Sequence, residues 1–279
     1  MPSTKVIIDQ INLIKTIDEI AGALGDIATT RLKQTRKSIE HNINFFQEIS
    51  EVYAVVKNQA GSLLNKEALK RTTNGKTALL LITANNRLYG GLDSELVKFF
   101  VVNTKDISAD RYLIGLAGKG LLISLKYEAA IKNVVFKENS PTFAELKALA
   151  SEVFNYQKIL VFHTKFVSVL NQIPTISDIS HVDIKDSKRP SGLYLLEPEI
   201  SKMIQFFENQ ISILLFQAIF AEVDLARLAA RMNSMNQAED NVRKVIEIEK
   251  KELLKSRKLK LNFETISTYV SLKIMQGRS

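Results

Sequence analysis

The sequence predicts an α/β protein built from a long antiparallel coiled coil of N- and C-terminal helices plus a small α/β head domain. Three observations predict it. From Glu199 to Gln276 there is neither proline nor glycine, so nothing local breaks a helix that would run roughly 115 Å at about 1.5 Å per residue. Within that stretch Ala221, Leu225, Leu228, Met232, Met235, Val242, Ile246 and Leu253 fall on one alternating four/three stripe, with Glu239 and Glu249 at two of its positions. Such a stripe asks for a helical partner. At the other end of the chain, Val6, Leu13, Ile17, Ile20, Leu24 and Ile27 form the same kind of stripe, interrupted at Gln10. Two matching terminal helices separated by a folded middle would pair antiparallel and stand out from that middle as a rod. The predicted packing residues are Leu13, Ile17, Ile20, Leu24 and Ile27 on one helix and Leu225, Leu228, Val242 and Ile246 on the other. The predicted divisions are 1–74, the N-terminal helix and its connection; 75–197, the head; and 198–279, the C-terminal helix.

Taken in order, the first helix follows Pro2 and an N-cap at Ser3 or Thr4 and runs from residue 5 to about 58. Gly22 and Gly25 cost it propensity, each about 1 kcal/mol, but let another backbone approach closely. Ile39, Ile43, Phe46, Ile49, Tyr53 and Val56 continue its pattern toward the head, and Gly61 ends it; Leu63 to Leu69 add a short helical turn. The polar run Lys70 to Lys76 is a boundary. Thr77 to Ala84 is a continuous apolar run of strand length, predicting a buried central strand. Gly90 and Gly91 then lead into a helix from near Asp93 through Phe100, and strand, glycine turn and helix in sequence is an α/β beginning. Tyr112 to Leu116 is a second strand; Leu121 to Leu125 reads as a strand or as the opening of a helix. Val134 to Phe136 is a short strand, Pro141 precedes a helix over Phe143 to Tyr156, and Lys158 to His163 is a strand that Phe166 to Leu170 continue after a bend. Pro174 to Gly192 is polar and turn-rich, Tyr194 to Leu196 is a last strand, and Pro198 opens the long helix.

Composition narrows the chemistry. The 279 residues carry a formal charge of +8 and contain no Cys and no Trp. Without Cys there are no disulfides, thiolate chemistry or Cys-containing zinc sites. No secretory signal is recognisable at the start, and the uncharged run Asn209 to Ala221 is too short to span a bilayer. A soluble intracellular chain is expected. The positive balance favours acidic partners, and much of it lies on the last helix, where Lys244, Lys250, Lys251, Lys255, Arg257, Lys258 and Lys260 interleave with Glu247, Glu249 and Glu252. That pattern reads either as a solvated face with supporting opposite charges or as a surface for an acidic partner.

Enzymatic readings fail on spacing. Gly115, Gly118, Lys119 and Gly120 resemble a phosphate loop superficially, but Lys119 is followed by glycine, so no hydroxyl is placed for magnesium. Gly90 and Gly91 lack the dinucleotide-binding spacing. His41, His163 and His181 are scattered, with His163 reading as a core or rim histidine, and Asp183 and Asp186 are a separated pair in a loop. No serine sits in a nucleophile elbow. No catalytic, cofactor or metal residues are assigned.

The terminal helices and first strand resemble the gamma subunit of the F-type ATP synthase. The opening helix is similar through Ile14, Lys15, Thr16, Ile17, Ile20, Ala23, Leu24, Ile27, Ala28 and Lys33. Ile82, Thr83 and Ala84, then Leu88, Tyr89, Gly90, Gly91, Leu92 and Asp93, are similar to the family's strand and turn, usually Thr-Ser-Asp followed by Gly-Leu-Cys-Gly-Gly-Leu-Asn. Lys165-Phe166 and Glu197-Pro198 also match. The most specific piece is Ala229, Ala230, Arg231, Met232, Met235, Ala238, Asp240 and Asn241, similar to the family's Ala-Ala-Arg-Met and its downstream Met, Ala and Asn.

The resemblance implies a central rotor shaft that couples ATP hydrolysis or synthesis in a surrounding hexamer of alpha-like and beta-like subunits to rotation. It implies no catalysis and no cofactor in this chain, with MgATP and MgADP in the partners. An epsilon-like subunit and a membrane rotor ring, or another mechanical load, would meet the head. The chain would be cytoplasmic, peripheral to the membrane's cytoplasmic face, with no span of its own and no nucleic acid. Carried over by position, Arg227, Arg231, Met232, Met235, Glu264 and Thr268 would face the ring, with Arg231 near acidic regions of the beta-like subunits. The sequence departs from the family at several of these places. Arg227 stands where Glu is common, Tyr89 replaces Cys, Asn85, Asn86 and Arg87 replace most of the usual strand turn, and Glu264 replaces Gln without the preceding Arg. A diverged or paralogous member follows from these departures. Two other readings stand beside it: a non-rotary coiled-coil scaffold, and a basic nucleic-acid-binding module, which lacks aromatic interleaving or a recognition motif.

Overall fold

The computed structural model describes residues 4–63, 73–138, 140–180 and 199–276. The chain divides into two compact units, one of residues 1–28 with 232–279 and the other of residues 29–231. Helix α1 (Thr4–Leu63) and helix α5 (Ile200–Gln276) each contribute to both.

In the larger unit the chain runs β1 (Thr77–Ile82), α2 (Leu92–Thr104), β2 (Asp110–Ile114), α3 (Ala117–Ser124), β3 (Ile131–Val134), α4 (Phe143–Val153), β4 (Lys158–Phe166) and β5 (Gln172–Asp178). The strands form one sheet in the order β3-β2-β1-β4-β5, parallel except for the antiparallel edge strand β5. The chain first winds outward from β1 and then returns past it to β4. Right-handed crossovers therefore place α2 and α3 on one face and α4 on the other.

Because side chains alternate along a strand, β1 feeds both cores. Leu79 and Leu81 join Leu113, Phe162, Leu96, Val97, Phe100 and Leu122 under α2 and α3. Ala78, Leu80 and Ile82 join Ile159, Val161, Leu146, Leu149 and Val153 under α4, and this second core is closed by Ile213, Phe216, Ile219, Phe220 and Val223 of α5. The long C-terminal helix is thus a packed layer of the sheet unit from Ile213 to Val223. Tyr53 and Val56 of α1 pack on Ile204 and Ile211 of α5, with the Tyr53 and Phe207 rings 6.1 Å apart.

Local chemistry explains several elements. Helix α4 begins at a reciprocal cap, in which Thr142 Oγ1 accepts from Glu145 N at 3.4 Å and Glu145 Oε2 accepts from Thr142 N at 2.8 Å. The glycines after β2 serve close packing. Gly115 has φ +96°, and a Cβ there would lie 2.0 Å from Thr83 O; a Cβ on Gly118 would lie 2.7 Å from Leu113 Cδ1. No larger residue fits where the end of β2 and the start of α3 meet the end of β1.

In the smaller unit α1 and α5 pack closely and run antiparallel. Thr4 Oγ1 lies 3.3 Å from Ser256 Oγ, a Cβ on Gly22 would lie 3.3 Å from Glu239 Oε1, and one on Gly25 would lie 3.6 Å from Met235 Cβ. Along α5 the covered line is Met235, Glu239, Val242, Ile246, Glu249, Leu253 and Ser256, the stripe read from the sequence. Along α1 it is not. The buried residues are Ile7, Ile11, Ala21, Gly25 and Ala28, whereas Leu13 is 64% and Ile20 55% exposed, and Val6, Ile17 and Ile27 are likewise exposed. Ile7 and Ile11 are covered in the first turns of α1, and from Ala21 to Ala28 small residues allow close approach of the helices, while Leu13, Ile17, Ile20 and Ile27 are left on the outside; only Leu24 of the predicted set is half-covered.

The structure differs from the sequence reading in other places. Helix α1 passes Gly61 and reaches Leu63. Residues 121–125 are helical in α3 apart from the cap. Phe166 ends β4, and Val167 and Ser168 donate to Asn171 O in a turn, so Phe166 to Leu170 do not extend the sheet. Pro174 lies inside β5, opposite Thr164; β4 is the strand's single partner among the described residues, and an edge strand tolerates a residue that cannot donate. The expected strand Tyr194 to Leu196, the turn beyond Leu63, His181, Asp183, Asp186 and Pro198 lie outside the described residues.

Candidate functional site

The turn from β1 to α2 and the stretch of α5 facing it bring Tyr89 and Asp93 together with Arg227 and Arg231. The turn is held by backbone N–H donors, one of them to the Asp93 side chain. Ala84 N donates to Asp93 Oδ1 at 3.2 Å, Thr83 N donates to Ile114 O at 2.8 Å, and Leu92 N donates to Tyr89 O at 3.4 Å. Leu88 has φ 78°, a left-handed conformation costly for a branched side chain, and it is exposed at the tip. A cleft of about 680 Å³ opens beside it, lined by Asn86, Arg87, Leu88, Ser94, Gly120 and Ser124 among others.

Tyr89 points inward from the same turn. It is 6% exposed and packs with Ala84, Leu92 and Ala230 of α5. The guanidinium carbon of Arg231 lies 4.5 Å from the Tyr89 ring centroid. Burial pushes the Tyr89 hydroxyl pKa up, against the pull of the Arg231 and Arg227 charges.

Arg227 is 3% exposed and sits inside the unit, its Nη1 3.5 Å from Asp224 Oδ1. Asp224 also accepts from Ser140 Oγ. Burial raises the pKa of Asp93 and of Asp224, and the Arg227 charge opposes the rise in both. One buried cation therefore serves carboxylates on two elements, α2 and α5. Arg227 is not presented outward as the ring-facing assignment requires.

The other assigned residues separate. Met235 is buried against Gly25, and Met232 is half-buried. Glu264 and Thr268 lie far along α5, both exposed, with Thr268 Oγ1 donating to Glu264 O at 2.8 Å and Lys260 Nζ 3.9 Å from Glu264 Oε1. Every described side chain from Arg257 to Gln276 is exposed. Leu259, Phe263, Ile266 and Val270 repeat there at four/three spacing with no packing partner among the described residues.

His163 behaves as a core histidine. It is 1% exposed, its Nε2 lies 2.8 Å from Ser177 Oγ, and burial pushes its pKa down to about 4, leaving it neutral near pH 7. Glu222 Oε2 stands 4.0 Å from its Nδ1. Among the described residues no group of three or more His, Cys, Asp or Glu side chains could hold a metal ion, and no helix is long and apolar enough to cross a membrane.

Sequence reasoning missed the carboxylates of the Arg227 site. Asp224 was legible as the acidic member of an i,i+3 pair with Arg227 on one helix face. The approach of Asp93, from a distant part of the chain, had no signal in a single sequence.

A family model described as ATP synthase matches residues 3–262. Among curated proteins, the ATP synthase gamma chain of Clostridium pasteurianum is 25% identical over 253 residues, covering 85% of this chain and 86% of that protein. Solved structures share the fold. The central stalk and c-ring structure of the Tetrahymena thermophila mitochondrial ATP synthase aligns with TM-score 0.58 at 19% identity, over 78% of this chain and 99% of that one. A chain from the OSCP/F1/c-ring structure of the Euglena gracilis mitochondrial ATP synthase aligns with TM-score 0.55 at 14% identity, over 88% and 95%.

Proposed function

The chain belongs to the ATP synthase family, and from that membership we propose that it is the central rotor shaft of an F-type ATP synthase or of a rotary ATPase built like one. The subunit carries no catalysis. Its paired terminal helices form an antiparallel coiled coil inside a hexameric ring of alpha-like and beta-like subunits, whose sites hold MgATP and MgADP. Each orientation of an asymmetric shaft favours different open and closed states of those sites, so free energy passes between chemistry and rotation as geometry.

The observation that carries this reading is the exposed apolar stripe on α5 beyond Ser256. Thr4 meets Ser256, and beyond it no described residue covers α5, which leaves Leu259, Phe263, Ile266, Tyr269 and Val270 exposed. An apolar stripe of that size on a single helix is an interaction surface, and a sleeve of partner subunits would cover it. The outward stripe Leu13, Ile17, Ile20 and Ile27 supports the same reading. Arg231, Met232, Glu264 and Thr268 are the ring-facing residues, and Arg227 acts from within. The sheet unit meets an epsilon-like subunit and a membrane rotor ring or another load, which holds the chain peripherally at the cytoplasmic face of the membrane.

Purification of the chain with its associated proteins under mild conditions, followed by a nucleotide-hydrolysis assay with and without it, tests the reading. Alpha-like and beta-like subunits at about three copies each per shaft are expected. Recovery of the chain alone or as a homodimer, with no ATPase partner, would overturn it.

A further inference from the structure

Arg231 is held in an unusual way. Its Nε is buried and makes no hydrogen bond within the described residues, and no ion pair to Arg231 occurs among them. What lies against the guanidinium is the face of Tyr89, at 4.5 Å. That ring is immobilised in turn by Ala84, Leu92 and Ala230. Arg227, one helical turn earlier, is placed in the opposite manner, against Asp224 at 3.5 Å and in the field of Asp93. Asp224 and Asp93 thus offset the charge of the inner cation, and no described carboxylate forms an ion pair with the outer one.

We propose that Tyr89 is a positioning residue, whose ring face fixes the Arg231 guanidinium in one place, un-neutralised, for a carboxylate of a protein partner. An aromatic face suits this role because it restrains a cation without supplying a counter-charge or consuming its N–H donors. A free arginine side chain would lose rotamer freedom on docking; one already held against a ring loses less, and the partner's carboxylate binds more tightly for it. Arg227 supports the arrangement by tying the turn that carries Tyr89 to α5. The inference rests on the shaft reading for the identity of the partner, the acidic surface of a beta-like subunit, while the Tyr89–Arg231 restraint belongs to the chain alone.

The test uses the full chain and its Tyr89→Leu and Tyr89→Phe variants, with Tyr89→Met as a second non-aromatic replacement should Tyr89→Leu melt early. In the isolated chain, the Arg231 Nε–H resonance is expected to be ring-current shifted in wild type and Tyr89→Phe and to lose that shift in Tyr89→Leu. With the alpha-like and beta-like subunits, Tyr89→Leu is expected to weaken docking about three- to tenfold, Tyr89→Phe to restore it, and Arg231→Gln to add little in the Tyr89→Leu background. An Arg231 resonance unchanged by Tyr89→Leu overturns the proposal, as does undiminished ring affinity in that variant beside a normally binding wild type. Failure of the wild type itself to bind the ring counts against the shaft reading, and the resonance then decides the restraint by itself.

Discussion

Gly25 of α1 faces Met235 of α5 so closely that a methyl group on the glycine would lie 3.6 Å from the Met235 Cβ, ordinary contact distance. Room for one carbon exists, and no more. Gly25→Ala should therefore stabilise the paired helices by about 0.5–1 kcal/mol through helix propensity, and Gly25→Leu should destabilise them by forcing the helices apart. Thermal melts of the two variants, followed by circular dichroism, check both signs.

Gly115 is the contrary case. Its φ is +96°, and a methyl group there would stand 2.0 Å from Thr83 O, which leaves no room for any side chain. Gly115→Ala should cost about 3 kcal/mol or more and expose the sheet unit to urea unfolding at a lower midpoint, with the m-value unchanged.

Arg227→Gln should destabilise by about 3 kcal/mol at pH 7, because it leaves Asp93 and Asp224 buried without their cation. Their folded-state pKa values are already raised, so protonation favours the folded form, and losing Arg227 raises them further. The penalty should be largest at neutral pH and should shrink as pH falls toward the ordinary carboxylate range. Denaturation of wild type and variant at pH 7 and pH 4 measures the difference; an equal penalty at both pH values contradicts it. For the same reason Arg227→Glu is a folding variant, since it would set a third carboxylate beside two buried ones, and it cannot probe the ring.

His163 has a folded pKa of about 4 against an ordinary 6.5. A depressed value means stability present above the unfolded pKa and lost as pH falls from about 6.5 toward 4, up to about 3 kcal/mol. Burial raises the pKa of neighbouring Glu222 and works in the other direction. His163→Gln should flatten the loss in that window, and the His163 ring in wild type should show no NMR titration near pH 6.5.

Deleting residues 257–276 removes only exposed side chains among those described. The melting temperature of the isolated chain should therefore change little, while retention by the alpha-like and beta-like subunits should fall sharply. A truncated chain that binds the ring as wild type does would show that the exposed stripe is not the docking surface.

The sequence by itself determined the two long helices, the central strand, the strands β2 and β4 beside it and the packed line on α5, because that line repeats at four/three spacing and a proline-free run leaves few alternatives. It also carried the family, through Ala229 to Met235 and the turn after β1. Only the tertiary structure decided which face of α1 is covered. That helix has two apolar stripes, and the covered one holds Ile7 and Ile11 in its first turns and then Ala21, Gly25 and Ala28, where nearness of the backbones outweighs hydrophobic area. The same holds for Pro174, a loop residue by its sequence and an edge-strand residue by its pairing. It holds for Arg227, whose environment is set by Asp93 arriving from a distant element. Periodicity records what a residue prefers to bury, whereas closeness of approach and the pairing of buried charges depend on which surfaces meet.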